Sequence, residues 1–180
     1  IILSLKQENK AFCLKKQIIN DSPDLEFRSV LIDLARGLPD FDKLKEDVKR
    51  LSLAKCNYIH LHLMDSMGLC YYSDILRNDN GIKGTELYTK TQMKEFVSYC
   101  DALGIEVIPE FEIPAHANYL VETYPDLACK AEIENPSTAV VCAGSESTYL
   151  FFERLITEII EIFPSKYIHM GGDELYVNDI

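Results

Sequence analysis

The stretch NYIHLHLM, residues 57–64, decides the fold, because similar short apolar runs occur before and after it and alternate with helical patterns. Apolar and β-branched side chains dominate these residues, which predicts a buried β-strand. A polar loop follows, from about residue 65 to 88, and Thr89 with Gln92 then fits a capping box that opens a helix. The predicted buried stripe of that helix is Met93, Phe96, Val97, Cys100 and Leu103, and Gly104 is its stop.

The same strand-then-helix order occurs before and after this unit. Residues 27–34, 105–109 and 166–170 are further short apolar runs that predict strands. Two more helices are predicted from the apolar faces formed by Phe41, Leu44, Val48 and Leu51, and by Leu155, Ile156, Ile159 and Phe163. The second of these begins at Ser145 or Ser147 and ends at Pro164. Alternation of this kind predicts an α/β protein with right-handed crossovers and a parallel sheet.

The length limits how much of such a fold the chain can form. A closed (β/α)8 barrel of the TIM type takes about 250 residues, whereas these 180 residues hold only four strand–helix units. The sequence leaves three possibilities: a fragment with a partial barrel, two copies that complete one another, or an open sheet.

Composition excludes several classes of partner. The net charge of −11 argues against nucleic acid and anionic membranes, and no apolar run approaches the roughly 20 residues of a membrane helix. An uncharged sugar is compatible with this charge. The six cysteines contain no CxxC pair, so we predict no cofactor or metal centre from them; Cys129 and Cys142 bracket one loop and would be bridged if the protein were exported. The opening residues do not form a signal peptide, and the sequence leaves the compartment unknown.

Polar residues concentrate at the ends of the four predicted strands, where parallel β/α folds bind their ligands. These residues are Asp33 and Arg36 after the first strand, His60, His62 and Asp65 on the second, Glu110, Glu112 and His116 after the third, and Asp173 and Glu174 after the fourth. Packing alone does not account for acids at all four strand ends. The sequence therefore predicts a functional site at this edge.

The strongest single element is HMGGDE, residues 169–174. Two glycines just past a strand permit a tight turn or the close approach of a ligand. Two adjacent carboxylates follow, and acids with different neighbours acquire different pKa values, so that one stays ionised while the other carries a proton. The alternative interpretation of this element is a solvated acidic turn.

Two further elements carry histidines. In PEFEIPAH, residues 109–116, two prolines stiffen the strand exit and direct His116 toward the edge. In HLHLMD, residues 60–65, both histidines lie on one strand face, which allows a zinc site built from His60, His62 and Asp65. Only four histidines exist in the chain, and we predict no metal.

Taken together, these motifs resemble those of glycoside hydrolase family 20, the β-N-acetylhexosaminidases. The resemblance runs from about residue 19 to 175 in one order: Arg28-Ser29 through Asp33-Leu34-Ala35-Arg36, then Asn57 through Ser66, then Pro109 through His116, then His169 through Glu174. It implies that residues 21–180 are the N-terminal half of a family 20 barrel. Residues 1–20 are then expected to be a tail or linker from a preceding domain.

The resemblance also implies roles and a substrate. Glu174 would be the general acid/base, and Asp173 would hold the 2-acetamido group, whose oxygen attacks the anomeric carbon in place of an enzyme nucleophile. Asp65 and His116 would form a relay to Glu174. The substrate would be a glycan with a terminal non-reducing β-linked N-acetylglucosamine or N-acetylgalactosamine. The implied substrate-binding residues are Arg28, which would bind sugar hydroxyls, and Asp33, His60 and Glu112.

This sequence departs from the family pattern at several positions: Ser29 replaces Gly, Leu61 replaces Trp, Ser66 and Glu112 replace Asp, and Ala115 replaces Gly. The family's aromatic wall and its acetamido-binding tyrosine come from the second half of the barrel, and this chain has no Trp. We therefore expect the chain alone to be weakly active or inactive. A second copy, as a homodimer, or a C-terminal half of the barrel would complete the pocket.

Two alternatives to an enzyme of this kind stay open. One is a noncatalytic carbohydrate-binding, degenerate barrel, although a binding module needs no acid/base relay. The other is a metal-dependent hydrolase that uses His60, His62 and Asp65.

Overall fold

The computed structural model describes residues 6–8, 11–13, 16, 18–76, 86–128 and 139–175, and it has a mixed α/β architecture. A short antiparallel hairpin, β1 (Lys6–Glu8) and β2 (Ala11–Cys13), precedes the main sheet. The sheet contains β3 (Ser29–Asp33), β4 (Tyr58–Asp65), β5 (Gly68–Leu69) and β6 (Glu106–Phe111). The helices are α1 (Phe41–Leu53), α2 (Lys90–Ala102), α3 (Asn118–Thr123) and α4 (Glu146–Ile162), with a 3-10 turn at Pro125–Leu127.

Parallel pairing organises the sheet. Strand β4 is central, with β3 on one side and β6 on the other, both parallel to it. Beyond β6 the chain returns as an extended segment that forms a parallel bridge between Glu110 and His169. The predicted fourth strand, residues 166–170, therefore has the expected position, but it pairs through this bridge and does not form a regular strand.

The helices cover one face of this sheet as the apolar stripes predict. In α1, Leu44 and Val48 are buried, and Asp40 caps the helix by accepting from the backbone N–H groups of residues 42 and 43. The predicted capping box of α2 is present at Thr89 and Gln92. Leu61 of β4 is fully buried between the sheet and the helices. The opposite face of β4 carries the histidines.

The structure adds detail to the loops and to the helix cap that the sequence predicted. The loop after β4 contains β5, which folds back antiparallel to β4, and its residues 77–85 lie outside the described residues. The loop after β6 contains α3 and the 3-10 turn. Ser145 is the N-terminal residue before α4, but its hydroxyl lies 2.7 Å from that of Ser147 and makes no cap bond. Cys142 is a free thiol, and Cys129 lies outside the described residues.

A buried carboxylate fixes the loop after β5 to the helical layer. Glu158 of α4 is 5% exposed. It accepts hydrogen bonds from the Ser73 hydroxyl at 2.6 Å, the Asp74 backbone N–H at 2.7 Å and the Tyr71 hydroxyl at 3.2 Å, and the Lys90 ammonium lies 3.3 Å away. A buried charge is tolerated only when it is paired and hydrogen-bonded in this way. Among the described residues no helix is long and apolar enough to cross a membrane.

We predict that Glu158→Ala lowers the free energy of unfolding by about 2–4 kcal/mol, because several buried donors lose their acceptor together. Urea unfolding followed by circular dichroism measures this loss. Glu161→Ala is the matched control, since Glu161 is exposed on the same helix and should change stability by less than about 0.5 kcal/mol. Equal losses in the two variants would contradict the role of the buried cluster.

Candidate functional site

One row of side chains crosses the sheet near the carboxyl ends of its strands. Asp33 pairs in register with His62, His62 with Glu110, and Glu110 with His169. His62 is 4% exposed, and its Nδ1 lies 3.4 Å from the Asp33 carboxylate. Four residues that the sequence predicted on four separate strands thus form a continuous line.

Asp65 is the last residue of β4, three positions after His62, and it lies close to several charged groups at the edge. It is 2% exposed, and the Arg36 guanidinium donates to it at 2.6 Å. The same carboxylate oxygen lies 3.6 Å from His116 Nδ1. His116 Nε2 in turn lies 2.9 Å from the Glu174 carboxylate. Asp65, His116 and Glu174 therefore lie in series, with His116 between the two carboxylates.

The backbone at both ends of the His116–Glu174 contact is in an unusual conformation. His116 has φ +51° and Glu174 has φ +53°, the left-handed region that residues with a Cβ rarely occupy. Each such residue costs about 1–2 kcal/mol relative to the right-handed region. Strained residues of this kind cluster at functional sites, where the surrounding structure holds them. The two glycines before Asp173, with φ of +67° and +99°, supply the rest of this turn.

A buried carboxyl group lies beneath this turn. Glu112 is 3% exposed, and a Cβ added at Gly171 would overlap its carboxyl group. Burial raises the pKa of Glu112 to about 8, and the negative charges of Asp173 and Glu110 contribute further. Burial also acts to raise the pKa of Asp173, but its own backbone N–H, the Glu112 carboxyl group and the charge of His116 together lower it. At neutral pH Glu112 is therefore protonated and Asp173 is ionised.

His60 lies two residues before His62 on the same face of β4, about 7 Å away along the strand, and it contacts Glu110 of the His62 row. His60 Nε2 lies 2.9 Å from the Glu110 carboxylate, and His169 Nδ1 lies 2.6 Å from the other Glu110 oxygen. Burial lowers the pKa of His60, and repulsion from His169 and His62 adds to this effect. His60, predicted to bind substrate, thus lies below the edge that carries Asp173 and Glu174.

The metal alternative predicted a centre made of His60, His62 and Asp65. Within the described ranges those three residues do not converge on one point. Donor groups do converge in two other sets, His60 with Glu110 and His169, and His62 with Glu110 and Glu112. In the first set His60 and His169 both lie within ion-pair distance of the Glu110 carboxylate.

The structure corrects the assignment of Arg28. Arg28 precedes β3, at the opposite end of the strand from the site, and its guanidinium donates to the backbone carbonyls of Leu25, Glu26 and Lys55. None of these contacts involves the edge that carries Asp173 and Glu174. Arg36, which follows β3 and was noted only as a strand-end residue, is the arginine at the site. Sequence spacing could have shown this, because only Arg36 lies on the carboxyl side of the strand.

Asp33 lies at the predicted edge, but its carboxylate already accepts hydrogen bonds from other groups of the protein. It accepts from the backbone N–H groups of Ala35 and Arg36 at 3.1 and 3.0 Å and from the Arg36 side chain at 3.0 Å. These bonds fix the loop that carries Arg36. Asp33 therefore orients Arg36 and His62, and its predicted contact with substrate stays a prediction.

The sequence matches the profile of the glycosyl hydrolase family 20 catalytic domain over residues 25–179. The chain is 34% identical to a β-hexosaminidase of Akkermansia muciniphila over 176 residues, which cover 87% of this chain and 36% of the relative. A solved β-N-acetylhexosaminidase is 31% identical, with a TM-score of 0.75 and coverage of 87% and 37%. The family 20 β-N-acetylhexosaminidase of Streptomyces coelicolor A3(2) is 28% identical, with a TM-score of 0.72 and coverage of 86% and 34%.

The chain thus spans roughly a third of the length of these relatives. The similarity covers every strand of the parallel sheet together with the loops that carry Asp65, His116, Asp173 and Glu174. Profile, sequence and structure agree, and the chain belongs to glycoside hydrolase family 20.

Proposed function

We propose that this chain supplies the catalytic acid of a β-N-acetylhexosaminidase that removes terminal β-linked N-acetylglucosamine or N-acetylgalactosamine from glycans. The observation that carries the proposal is the contact of His116 with Glu174, 2.9 Å, beside an ionised Asp173. Glu174 would protonate the leaving glycosidic oxygen, and Asp173 would accept the N–H of the 2-acetamido group. The acetamido oxygen would attack the anomeric carbon, so no protein nucleophile is required.

Asp65 and His116 would control the proton on Glu174. Asp65 is buried and ionically paired with Arg36, so it presents a fixed negative charge to the His116 ring. That charge favours a protonated imidazole facing Glu174 when Glu174 has given up its proton. The remaining guanidinium N–H groups of Arg36, which is half exposed at the edge, would bind sugar hydroxyls.

We further propose that the chain forms the first half of a (β/α)8 barrel. Between α4 and the segment after β6 lies an apolar cavity of about 580 Å³, lined by residues that include Ile113, Phe152, Ile156 and Met170. Leu31, on β3 at the other edge, is 51% exposed. Exposed apolar groups at both edges of a parallel sheet suit the addition of further strand–helix units. These units, from a C-terminal segment or a second copy, would also supply the aromatic wall.

A noncatalytic carbohydrate-binding domain is the second candidate. The open edge with Arg36 and Asp173 would suit sugar binding. Such a domain, however, needs no series of ionisable groups like Asp65, His116 and Glu174, which favours the enzyme.

We predict that Glu174→Gln lowers kcat by about 10²–10⁴-fold, because general acid catalysis contributes that much. The assay is hydrolysis of 4-nitrophenyl N-acetyl-β-glucosaminide by the polypeptide with its complete barrel and, in parallel, by the 180-residue chain, which we expect to be weakly active or inactive. Glu161→Gln, on the outer helix, is the control and should leave the rate unchanged. Calorimetric binding of N-acetylglucosamine that is unchanged in Glu174→Gln, with no hydrolysis by the parent, would favour the binding domain.

We predict that Arg36→Met lowers kcat/KM by roughly 10–100-fold, since a hydrogen bond to a charged group contributes about 1.5–3 kcal/mol. Arg28→Met is its matched control and should leave kcat/KM within about 2-fold, because the described contacts of the Arg28 guanidinium are with backbone carbonyls at the far end of β3. Steady-state kinetics on the two variants measure which arginine contributes to kcat/KM. A larger loss in Arg28→Met would restore the original assignment.

A further inference from the structure

Two buried polar atoms on the inner side of the site have no hydrogen-bond partner among the described residues. They are His62 Nε2 and Glu112 Oε2, and their side chains are 4% and 3% exposed. Buried polar atoms are normally paired, and an exception needs an explanation such as a bound ion or water. The two side chains face one another, so one bound group could satisfy both atoms.

The spacing of the donor atoms suits a cation better than a direct hydrogen bond. Donor atoms of His62, Glu110 and Glu112 all lie within 4.8 Å of one another. His62 Nε2 is 3.9 Å from Glu112 Oε1, whereas a hydrogen bond between such groups spans at most about 3.2 Å. Zinc binds imidazole nitrogen and carboxylate oxygen at about 2.0–2.2 Å, which places two ligand atoms of a tetrahedral site roughly 3.3–3.6 Å apart. The His62–Glu112 separation therefore exceeds that of two zinc ligands by only a few tenths of an ångström.

The two glutamates are also acids that need positive charge. In the described part of the chain no lysine or arginine is ion-paired with Glu110 or Glu112: the nearby Arg36 guanidinium donates to two other carboxylates, and the ion pairs of Glu110 are with histidines. Buried carboxylates are normally compensated by a cationic partner or a metal ion. A divalent cation would supply the charge that the described residues lack here.

We propose that His62, Glu110 and Glu112 form a binding site for a divalent transition-metal cation, for which zinc is the probe. Zinc accepts imidazole and carboxylate ligands, and three protein ligands leave a fourth position open for water. The cation displaces the proton that Glu112 carries at neutral pH, because a carboxyl group binds metals in its ionised form. This set differs from the His60, His62 and Asp65 set of the sequence prediction, since two of its three ligands come from β6 and its exit.

A cation at this position would act on the series Asp65–His116–Glu174, and this consequence rests on the proposed function. Asp65 Oδ2 lies 3.6 Å from His62 Nε2 and 3.6 Å from His116 Nδ1. Positive charge bound to His62 offsets the charge of Asp65 and so weakens its support of a protonated His116. Zinc is therefore expected to inhibit hydrolysis reversibly by lowering kcat.

The first test measures binding in the 180-residue chain and needs no catalysis. Imidazole ¹⁵N resonances are followed by NMR while zinc is added, and with only four histidines in the chain each resonance can be assigned by substitution. We expect one equivalent of zinc to move the Nε2 resonance of His62 to the position typical of a metal-bound imidazole. Zinc that binds at His60 and His169 without this change at His62 would overturn the proposal.

The second test is calorimetric titration of variants with zinc. His62→Gln and Glu112→Gln should each weaken zinc binding by at least 10-fold, since losing even a group that only supports a ligand costs about 10–100-fold in metal affinity. Cys142→Ser is the matched control, because Cys142 is a free, partly exposed thiol outside the cluster, and its zinc affinity should equal that of the parent.

Far-UV circular dichroism establishes that each variant is folded. Unchanged zinc affinity in folded His62→Gln and Glu112→Gln, or a loss of affinity in Cys142→Ser, would contradict the site. The NMR titration uses the unsubstituted chain, so it still decides the question if a variant does not fold.

The third test measures inhibition in the polypeptide with its complete barrel. The rate of each variant with zinc is divided by its own rate with EDTA, and Glu112→Gln should need at least 10-fold more zinc than the parent for the same inhibition. Equal zinc sensitivity of the two proteins would contradict an inhibitory role of this site.

The cation site and the proposed function fail in different ways. If no hydrolysis is found but zinc moves the His62 resonance, the function is wrong and the site stands. If Glu174→Gln abolishes hydrolysis while zinc leaves His62 unchanged, the function stands and the cation site is wrong.

Discussion

The register of the parallel sheet is the constraint on which every contact at the site depends. Because β3, β4 and β6 pair without offset at this level, Asp33, His62, Glu110 and His169 form one row. Side chains alternate between the two faces of a strand, so a slip of one residue would move the imidazoles to the helical face and the leucines of β4 to the open face. The fully buried Leu61 therefore fixes the register that assembles the acids and histidines.

Above that row, backbone conformation decides where the charges point. The glycine turn before Asp173 carries no Cβ where the Glu112 carboxyl group passes, and the positive φ at His116 and Glu174 directs those two side chains toward each other. The backbone strain at His116 and Glu174 is tolerated because the sheet below and the Ile113–Met170 hydrogen bond hold the loops from both sides. The rigid strands thus hold the loops in place, and the strained loop backbone orients the side chains, as is usual where strand ends form a site.

The electrostatics of the site follow from burial among acids. In a chain with a net charge of −11, the buried Asp65 is ion-paired with Arg36, whereas burial and the nearby acids raise the pKa of Glu112 to about 8. Glu158, the buried acid outside the site, is instead fully supplied with donors, which suits a structural role.

The sequence alone determined the alternation of strands and helices, the capping box at Thr89 and the acids at the strand ends, because each depends on residues close together in the chain. Tertiary structure decided the rest. Arg28 and Arg36 flank a single five-residue strand, and only the structure shows that the Arg28 guanidinium bonds to backbone carbonyls whereas that of Arg36 bonds to Asp33 and Asp65. The contact between His116 and Glu174 joins two loops that meet only after β6 and the last extended segment are paired. Local patterns carry no information on such pairings, since their energy comes from groups that are distant in sequence.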